Sequence, residues 1–195
     1  NYELMSVLDA FDLQEPEKQA LEKYIAGEYT LGKLNKDTVN FDIENAKELL
    51  KVCQEQNLSI SAVMLQRELT EGEQDPEETD RKMDRVLEIM KSAASTPIHT
   101  PVKSMGGLIG GEAKKISDHK DAGKGLCGDL LERAVIYAMA TLETNASMGV
   151  IVASPTAGSA GIVPGLLLAL LETYELSDEQ IKQGLYNASA IGYLA

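Results

Sequence analysis

The sequence predicts an all-α fold: a helical domain with Gly-rich loops at the N-termini of its helices, preceded by a small helical appendage. Apolar residues recur at intervals of three and four along most of the chain, which is the period of an amphipathic helix. No clear alternating strand is present, since the only β-like run, Val150 to Ala153, is short. Most of the sixteen glycines lie between Gly106 and Gly165, where they precede apolar helical segments.

Composition and charge limit the classes of protein. Of the 195 residues 44% are hydrophobic, which is enough for one sizeable core. A net charge of −13 argues against a nucleic-acid partner and against binding to anionic membranes, because both surfaces attract basic proteins. The longest hydrophobic run, Ile162 to Leu171, is too short to span a bilayer, and no signal peptide is recognisable. Two cysteines give no disulfide scaffold, so a cytoplasmic location is expected.

The first third of the chain is expected to form short amphipathic helices. Asn1 to Gly32 carries two apolar stripes and is interpreted as a helical appendage for packing or dimerisation. A helix is predicted within Phe41–Asn57, whose last residue suits a helix end. Either Ser59 or Ser61 is expected to cap the next helix, which is predicted to run through Leu69.

A longer helix is predicted after the acidic stretch that follows. Asp75-Pro76 combines a capping carboxylate with proline at the first helical position. The helix is expected to end at about Ala94, because Thr96-Pro97 and Thr100-Pro101 should each break it.

Two further helices are predicted downstream of the first Gly-rich stretch. One runs from about Leu130 to Asn145, and a more hydrophobic one follows the second Gly-rich stretch and ends at about Tyr174. Ser177 and Gln180 have the spacing of a capping box, which predicts the start of the last helix.

The second Gly-rich stretch, Ser154 to Gly165, has the character of an anion-binding loop. Small residues let the backbone approach a ligand closely, and Thr156 and Ser159 supply hydroxyl groups. The stretch leads into a buried helix, whose free N–H groups and positive dipole end favour a carboxylate or phosphate. The stretch Gly106 to Gly111 has the same character, with Ser104 beside it. Close helix packing explains the small residues equally well, and neither stretch has the spacing of a known phosphate-binding motif.

Other side chains give weaker signals. His99 and His119 lack metal-ligand spacing and are interpreted as surface residues. Cys53 lies on an apolar stripe and is interpreted as a core residue, and Cys127 as a buried thiol rather than a reactive one. Asn145, at the end of a helix just before the second loop, is either a polar group of the site or a helix C-cap.

Three motifs in this order resemble the signature of the bacterial iron–sulfur-dependent L-serine dehydratases, in their alpha subunit or alpha domain. The motifs are Ser104-x-x-Gly107-Leu108-x-Gly110-Gly111, Asn145-Ala146-x-Met148-Gly149 and Pro155-Thr156-Ala157-Gly158-Ser159-Ala160-Gly161-x-x-Pro164-Gly165. The resemblance covers roughly residues 40–195. It implies that residues 37–195 are the N-terminal part of such a domain, and that residues 1–36 are a helical extension or linker.

The resemblance implies a lyase of amino-acid catabolism that converts L-serine to pyruvate and ammonia. In that family a four-iron four-sulfur cluster acts as a Lewis acid on the serine hydroxyl group. The motifs then imply a substrate-binding set, although neither the catalytic base nor any metal ligand is assigned in this sequence. The set is Ser104, Gly107, Gly110, Gly111, Asn145, Pro155, Thr156, Ala157, Gly158, Ser159 and Gly161.

The resemblance also implies partners and an incomplete domain. The family's cluster cysteines lie beyond the last helix of this sequence, and Cys53 and Cys127 do not match them. We therefore expect this fragment alone to hold no cluster and to be inactive. L-serine, a beta domain or subunit and a second copy of the chain are the expected partners. The alternative is a non-catalytic helical module that binds a small carboxylate or phosphate ligand.

Overall fold

The computed structural model describes residue 41, residues 43–72 and residues 75–194, and these contain seven α-helices and no strand. The all-α prediction is therefore confirmed for the described part of the chain. The predicted appendage lies outside these residues. The helices are α1 (Ala46–Gln56), α2 (Ile60–Glu71), α3 (Pro76–His99), α4 (Glu112–His119), α5 (Asp129–Ala146), α6 (Ser159–Tyr174) and α7 (Asp178–Leu194).

The described residues divide into two compact units. One contains the described residues up to residue 79 together with residues 183–194, and the other contains residues 80–182. In the first unit the core side chains come from α1, α2, the segments around them and the second half of α7. Phe41, Ile43, Leu49, Leu50, Cys53, Leu58, Ile60, Val63, Met64, Leu185 and Ala190 are among these core residues.

Helices α1 and α2 begin and end at the residues that their sequences favour. The Asn57 backbone is left-handed, with φ of 51°, which closes α1 as predicted. Of the two candidate caps for α2, Ser59 is the cap, because its side chain accepts a hydrogen bond from the N–H group of Ala62 at 3.2 Å. The prediction that Cys53 is a core residue is confirmed, since its side chain is fully buried.

The prediction that α3 ends at about Ala94 is wrong. The helix continues through the buried Pro97 to His99. Proline lacks the N–H group that would bond to the carbonyl oxygen of Ala93, four residues earlier. The hydroxyl group of Thr144, on α5, donates to that oxygen at 2.7 Å instead. A tertiary hydrogen bond thus replaces the one that proline removes, and the helix persists.

Helix α4, which directly follows the first Gly-rich stretch, was not predicted from the sequence. It has eight residues and continues into a π-helical turn, Lys120–Lys124, which ends in a Gly-rich segment. Cys127, in this segment, is exposed, so the prediction of a buried thiol is wrong. The segment is instead fastened to α5, since the N–H group of Cys127 donates to the Glu132 carboxylate at 3.0 Å.

Helices α5 and α6 pack closely together in the second unit. A Cβ atom added to Gly165 would lie 2.8 Å from the carbonyl oxygen of Ala134 and 3.0 Å from the side chain of Ala138. One added to Gly161 would lie 3.3 Å from the carbonyl oxygen of Ala138. The small residues of α6 therefore let the two backbones approach, as one of the two interpretations of this stretch requires.

Candidate substrate-binding site

The second loop, residues 154–158, is closed onto the start of α6 by two side chains. The hydroxyl group of Thr156 accepts from the N–H group of Ser159 at 3.1 Å, and that of Ser159 accepts from the N–H group of Thr156 at 3.0 Å. The two hydroxyl oxygens are also 3.0 Å apart. This reciprocal arrangement has the geometry of a capping box. Both hydroxyl groups, predicted as ligand donors, thus also shape the loop.

The N–H groups between these two residues remain available. Those of Ala157 and Gly158 have no hydrogen-bond acceptor among the described residues. Both residues are exposed and stand at the N-terminus of α6, a helix of sixteen residues. Free N–H groups at the positive end of a helix dipole attract carboxylates and other anions. The second loop therefore has the donors that the anion-binding prediction requires.

A groove of about 350 Å³ lies between α5, α6 and the second loop. Ala157 and Gly158 of the second loop, Gly161 of α6 and Asn145 of α5 are among the residues that line it. The Asn145 amide has no hydrogen-bond partner among the described residues, so it is free to bind a ligand. The other lining residues are Thr141, whose hydroxyl group donates to the carbonyl oxygen of Tyr137, and seven apolar residues: Val135, Ala138, Met139, Leu142, Ile151, Ala160 and Ile162. Residues of the predicted set from α5, the second loop and α6 thus line one groove.

The first loop, residues 104–111, is a tight turn that needs its glycines. The backbones of Gly107, Gly110 and Gly111 have φ values of 69°, 150° and 93°, which side chains rarely allow. Ser104 closes the turn: its N–H group donates to the carbonyl oxygen of Ile109 at 2.8 Å, and its hydroxyl group accepts from the N–H group of Ile109 at 3.1 Å. These two bonds hold the turn closed.

The N–H groups of the first loop are already bonded to carboxylates of the protein. Gly110 donates to the Glu112 carboxylate at 2.6 Å, and Gly111 and Ala113 donate to the two oxygens of Glu143 at 3.0 and 2.8 Å. The N–H group of Gly110, followed by that of Glu112 itself, holds the pKa of Glu112 below its usual value. The anion position at the start of α4 is therefore filled from within the protein.

Glu143 was not among the residues predicted from the sequence to shape the site. Its side chain is 1% exposed, although it is a carboxylate. The available signal was its position, because Glu143 falls on the same face of α5 as the buried residues Ile136 and Ala140. A carboxylate on an apolar face requires donors, and here they lie about thirty residues earlier in the chain.

The structure brings the two loops to the same turn of α5. The first loop bonds to Glu143, and the N–H group of Met105 donates to the carbonyl oxygen of Ala146 at 3.3 Å. The second loop shares the groove with Asn145, which lies between those two residues. The groove lining includes no residue of the first loop, and Pro155 and Thr156 lie exposed beside it without lining it.

The described residues do not form an iron–sulfur site. No three His, Cys, Asp or Glu side chains among them converge as metal ligands would. A metal-bound cysteine is a thiolate, but burial raises the pKa of Cys53 to about 12. The position of the cluster cysteines, beyond the last helix of this sequence, stays a prediction. No helix in the described part of the chain has the length and apolar character needed to cross a bilayer.

The chain is similar to known proteins over most of its length. Residues 55–195 match the family model for the serine dehydratase alpha chain. A probable L-serine dehydratase alpha chain from Bacillus subtilis is 41% identical over 150 residues, which are 77% of this chain and 50% of the relative. An L-serine dehydratase alpha chain from Peptoniphilus asaccharolyticus is 35% identical over 150 residues, which are 77% of this chain and 51% of the relative.

A third relative, the L-serine dehydratase of Haemophilus influenzae, is 30% identical over 179 residues, which are 88% of this chain and 39% of the relative. The chain thus spans about half the length of the alpha chains it matches. No solved structure matches it.

Proposed function

The chain belongs to the serine dehydratase alpha chain family, and from that premise we propose that it holds the substrate carboxylate in an L-serine ammonia-lyase. The observation that carries this proposal is the pair of N–H groups without acceptors, on Ala157 and Gly158, at the start of α6. They stand beside a groove whose free polar side chain is Asn145. A small amino acid has a carboxylate that can bind to the two N–H groups, and an ammonium or hydroxyl group that can bind to the Asn145 amide.

These donors also fit the chemistry of dehydration. When the α-proton of serine leaves, negative charge spreads onto the carboxylate, so fixed N–H donors stabilise the transition state more than the ground state. The Thr156–Ser159 pair keeps the two N–H groups fixed, because both hydroxyl groups are bonded to the loop backbone. The resemblance implies that an iron–sulfur cluster would activate the serine hydroxyl group. We assign neither the ligands of that cluster nor the proton-accepting base to residues of this chain.

The test is L-serine turnover, measured as pyruvate release by the complete enzyme with its beta partner. Thr156→Ala removes the hydroxyl group that closes the loop, and we expect KM for L-serine to rise by about tenfold, which corresponds to the loss of roughly 1.4 kcal/mol of binding. Thr156→Ser keeps the hydroxyl group and is the matched control, with KM within about twofold. Asn145→Ala should also raise KM.

Two results would count against the proposal. If Thr156→Ala left serine turnover unchanged, the second loop would not hold the substrate. If the complete enzyme bound L-serine but released no pyruvate, the alternative of a non-catalytic carboxylate-binding module would be favoured.

A further inference from the structure

Glu143 is a buried carboxylate for which the proposed reaction has no direct use. Its two oxygens accept from Gly111 and Ala113, at 3.0 and 2.8 Å, and its side chain is 1% exposed. Burying a carboxylate costs several kcal/mol unless donors compensate for the lost water. The bonds to these two N–H groups, at the start of α4, therefore form a strong attachment between α4 and α5.

The attachment reaches the candidate groove through one helical turn. Glu143 and Asn145 are two residues apart in the last turn of α5, and Asn145 lines the groove. On the other side, Gly111 is the last residue of the first loop, whose beginning is bonded to Ala146 through Met105. The first loop is thus tied to the last turn of α5 at both of its ends.

We infer that Glu143 is a positioning residue: by binding the N–H groups of Gly111 and Ala113, it holds the first loop against the last turn of α5 and so sets the geometry of the groove at Asn145. This inference rests on the proposed function, because it concerns the same site. The first loop then positions the groove and does not bind the substrate itself. Gly110 and Gly111 do not offer their N–H groups to the substrate, since Glu112 and Glu143 already occupy them.

Glu143→Gln is the informative substitution. Glutamine has nearly the same size, but one of the two acceptor oxygens becomes an NH₂ group. One N–H group of the loop therefore keeps its acceptor, and the other faces a second donor and loses its hydrogen bond. We expect amide hydrogen exchange at residues 110–113 to accelerate by about tenfold or more. In the complete, cluster-loaded enzyme we expect KM for L-serine to rise by about tenfold while kcat stays within about threefold. Iron and sulfide content should equal that of the wild type.

Glu132→Gln is the matched control. Glu132 lies on the same helix and accepts from the N–H group of a preceding loop residue, Cys127, at 3.0 Å. The chemical change is the same, but it lies at the opposite end of α5. We expect this variant to leave KM unchanged and to accelerate exchange only near Cys127.

The outcomes separate the inference from the proposed function. An unchanged KM in Glu143→Gln overturns the inference even if exchange accelerates, because the loop would then be dispensable for the groove. If the variant does not fold, Glu143→Asp, which keeps the charge but reaches only one N–H group, decides by the same two measurements. If the wild-type enzyme does not turn over L-serine, the proposed function fails, and exchange at residues 110–113 alone decides whether Glu143 holds the loop.

Discussion

The two Gly-rich loops look alike in sequence, but the protein holds them in different ways. The first loop directs its N–H groups inward, to the carboxylates of Glu112 and Glu143. The second loop is closed by its own hydroxyl groups and leaves the N–H groups of Ala157 and Gly158 without acceptors. Small residues before a helix create an anion position in both cases. Whether a ligand can use that position depends on carboxylates elsewhere in the chain.

The glycines also serve different purposes in the two loops. In the first loop they permit positive φ angles, up to 150° at Gly110. In the second region the backbone is ordinary, with φ of −68° at Gly158, and the glycines that matter are those of α6, which allow α5 to approach. The first loop thus needs glycine for its conformation, and α6 needs it for space.

Gly110→Ala should have the largest effect. A Cβ atom at this position would overlap the carbonyl oxygen of Val102 and lie 2.8 Å from the Cα atom of Lys103, and φ would remain strained. We expect the free energy of unfolding to fall by roughly 2–4 kcal/mol, measured by urea denaturation. Gly158→Ala is the control, because its Cβ atom would meet nothing within 4 Å and its stability should change by less than about 0.5 kcal/mol. Equal losses in both variants would refute the distinction.

Gly165→Ala tests the requirement for space. The added methyl group would lie 2.8 Å from the carbonyl oxygen of Ala134, which belongs to a helix backbone and cannot move independently. We expect a loss of roughly 1–3 kcal/mol in the free energy of unfolding. Gly161→Ala, with its nearest neighbour at 3.3 Å, should lose less. The reverse order of the two losses would show that α5 and α6 approach each other differently.

Local signals in the sequence predicted most helix boundaries. The cap at Ser177 and the end at Asn57 were correct, and Ser59 is one of the two caps that were considered for α2. Each of these boundaries depends on residues within a few positions of it. The predicted end of α3 was wrong because Thr144, about fifty residues later, donates to the carbonyl oxygen of Ala93, to which Pro97 cannot donate. Propensity describes the cost of proline in a helix but not a distant donor that offsets it.

The candidate site could be predicted only in part, because local motifs are visible in the sequence and distant hydrogen-bond partners are not. The motif residues of the second loop and Asn145 were singled out in sequence, and the structure places several of them around one groove. The different state of the first loop could not be foreseen, because Glu143 reads as an ordinary charged helix residue until its two N–H donors are located. The substrate-binding roles of all these residues stay predictions.

Ser104→Ala tests how the first loop is closed. The hydroxyl group of Ser104 accepts from the N–H group of Ile109, which is half-buried and would lose its partner. We expect a loss of about 1 kcal/mol in the free energy of unfolding. Ser154→Ala, in the second loop, is the matched control, because the Ser154 hydroxyl group has no hydrogen bond among the described residues and little should change. Similar losses in both variants would contradict the assigned closure.

Acidification should affect the first loop and not the second, and of all these changes it should have the smallest effect on the free energy of unfolding. The N–H group of Gly110 is the main cause that lowers the pKa of Glu112 from 4.5, followed by the N–H group of Glu112 itself. A carboxyl group with a lowered pKa in the folded state contributes stability above its unfolded pKa. That contribution is lost as the pH falls through the folded value. We therefore expect the amide resonance of Gly110 to shift in an NMR titration, with a midpoint below 4.5.

The amide resonances of Ala157 and Gly158 should stay constant over the same interval, because neither N–H group is bonded to a carboxylate. Glu112→Gln should abolish the shift at Gly110 and leave the second loop unaffected, since its amide side chain does not titrate. A midpoint at or above 4.5 for Gly110 would show that the loop does not stabilise the charged form of Glu112. A shift of equal size at Gly158 would place a carboxylate beside the second loop as well, and the two loops would then no longer differ in how their anion positions are filled.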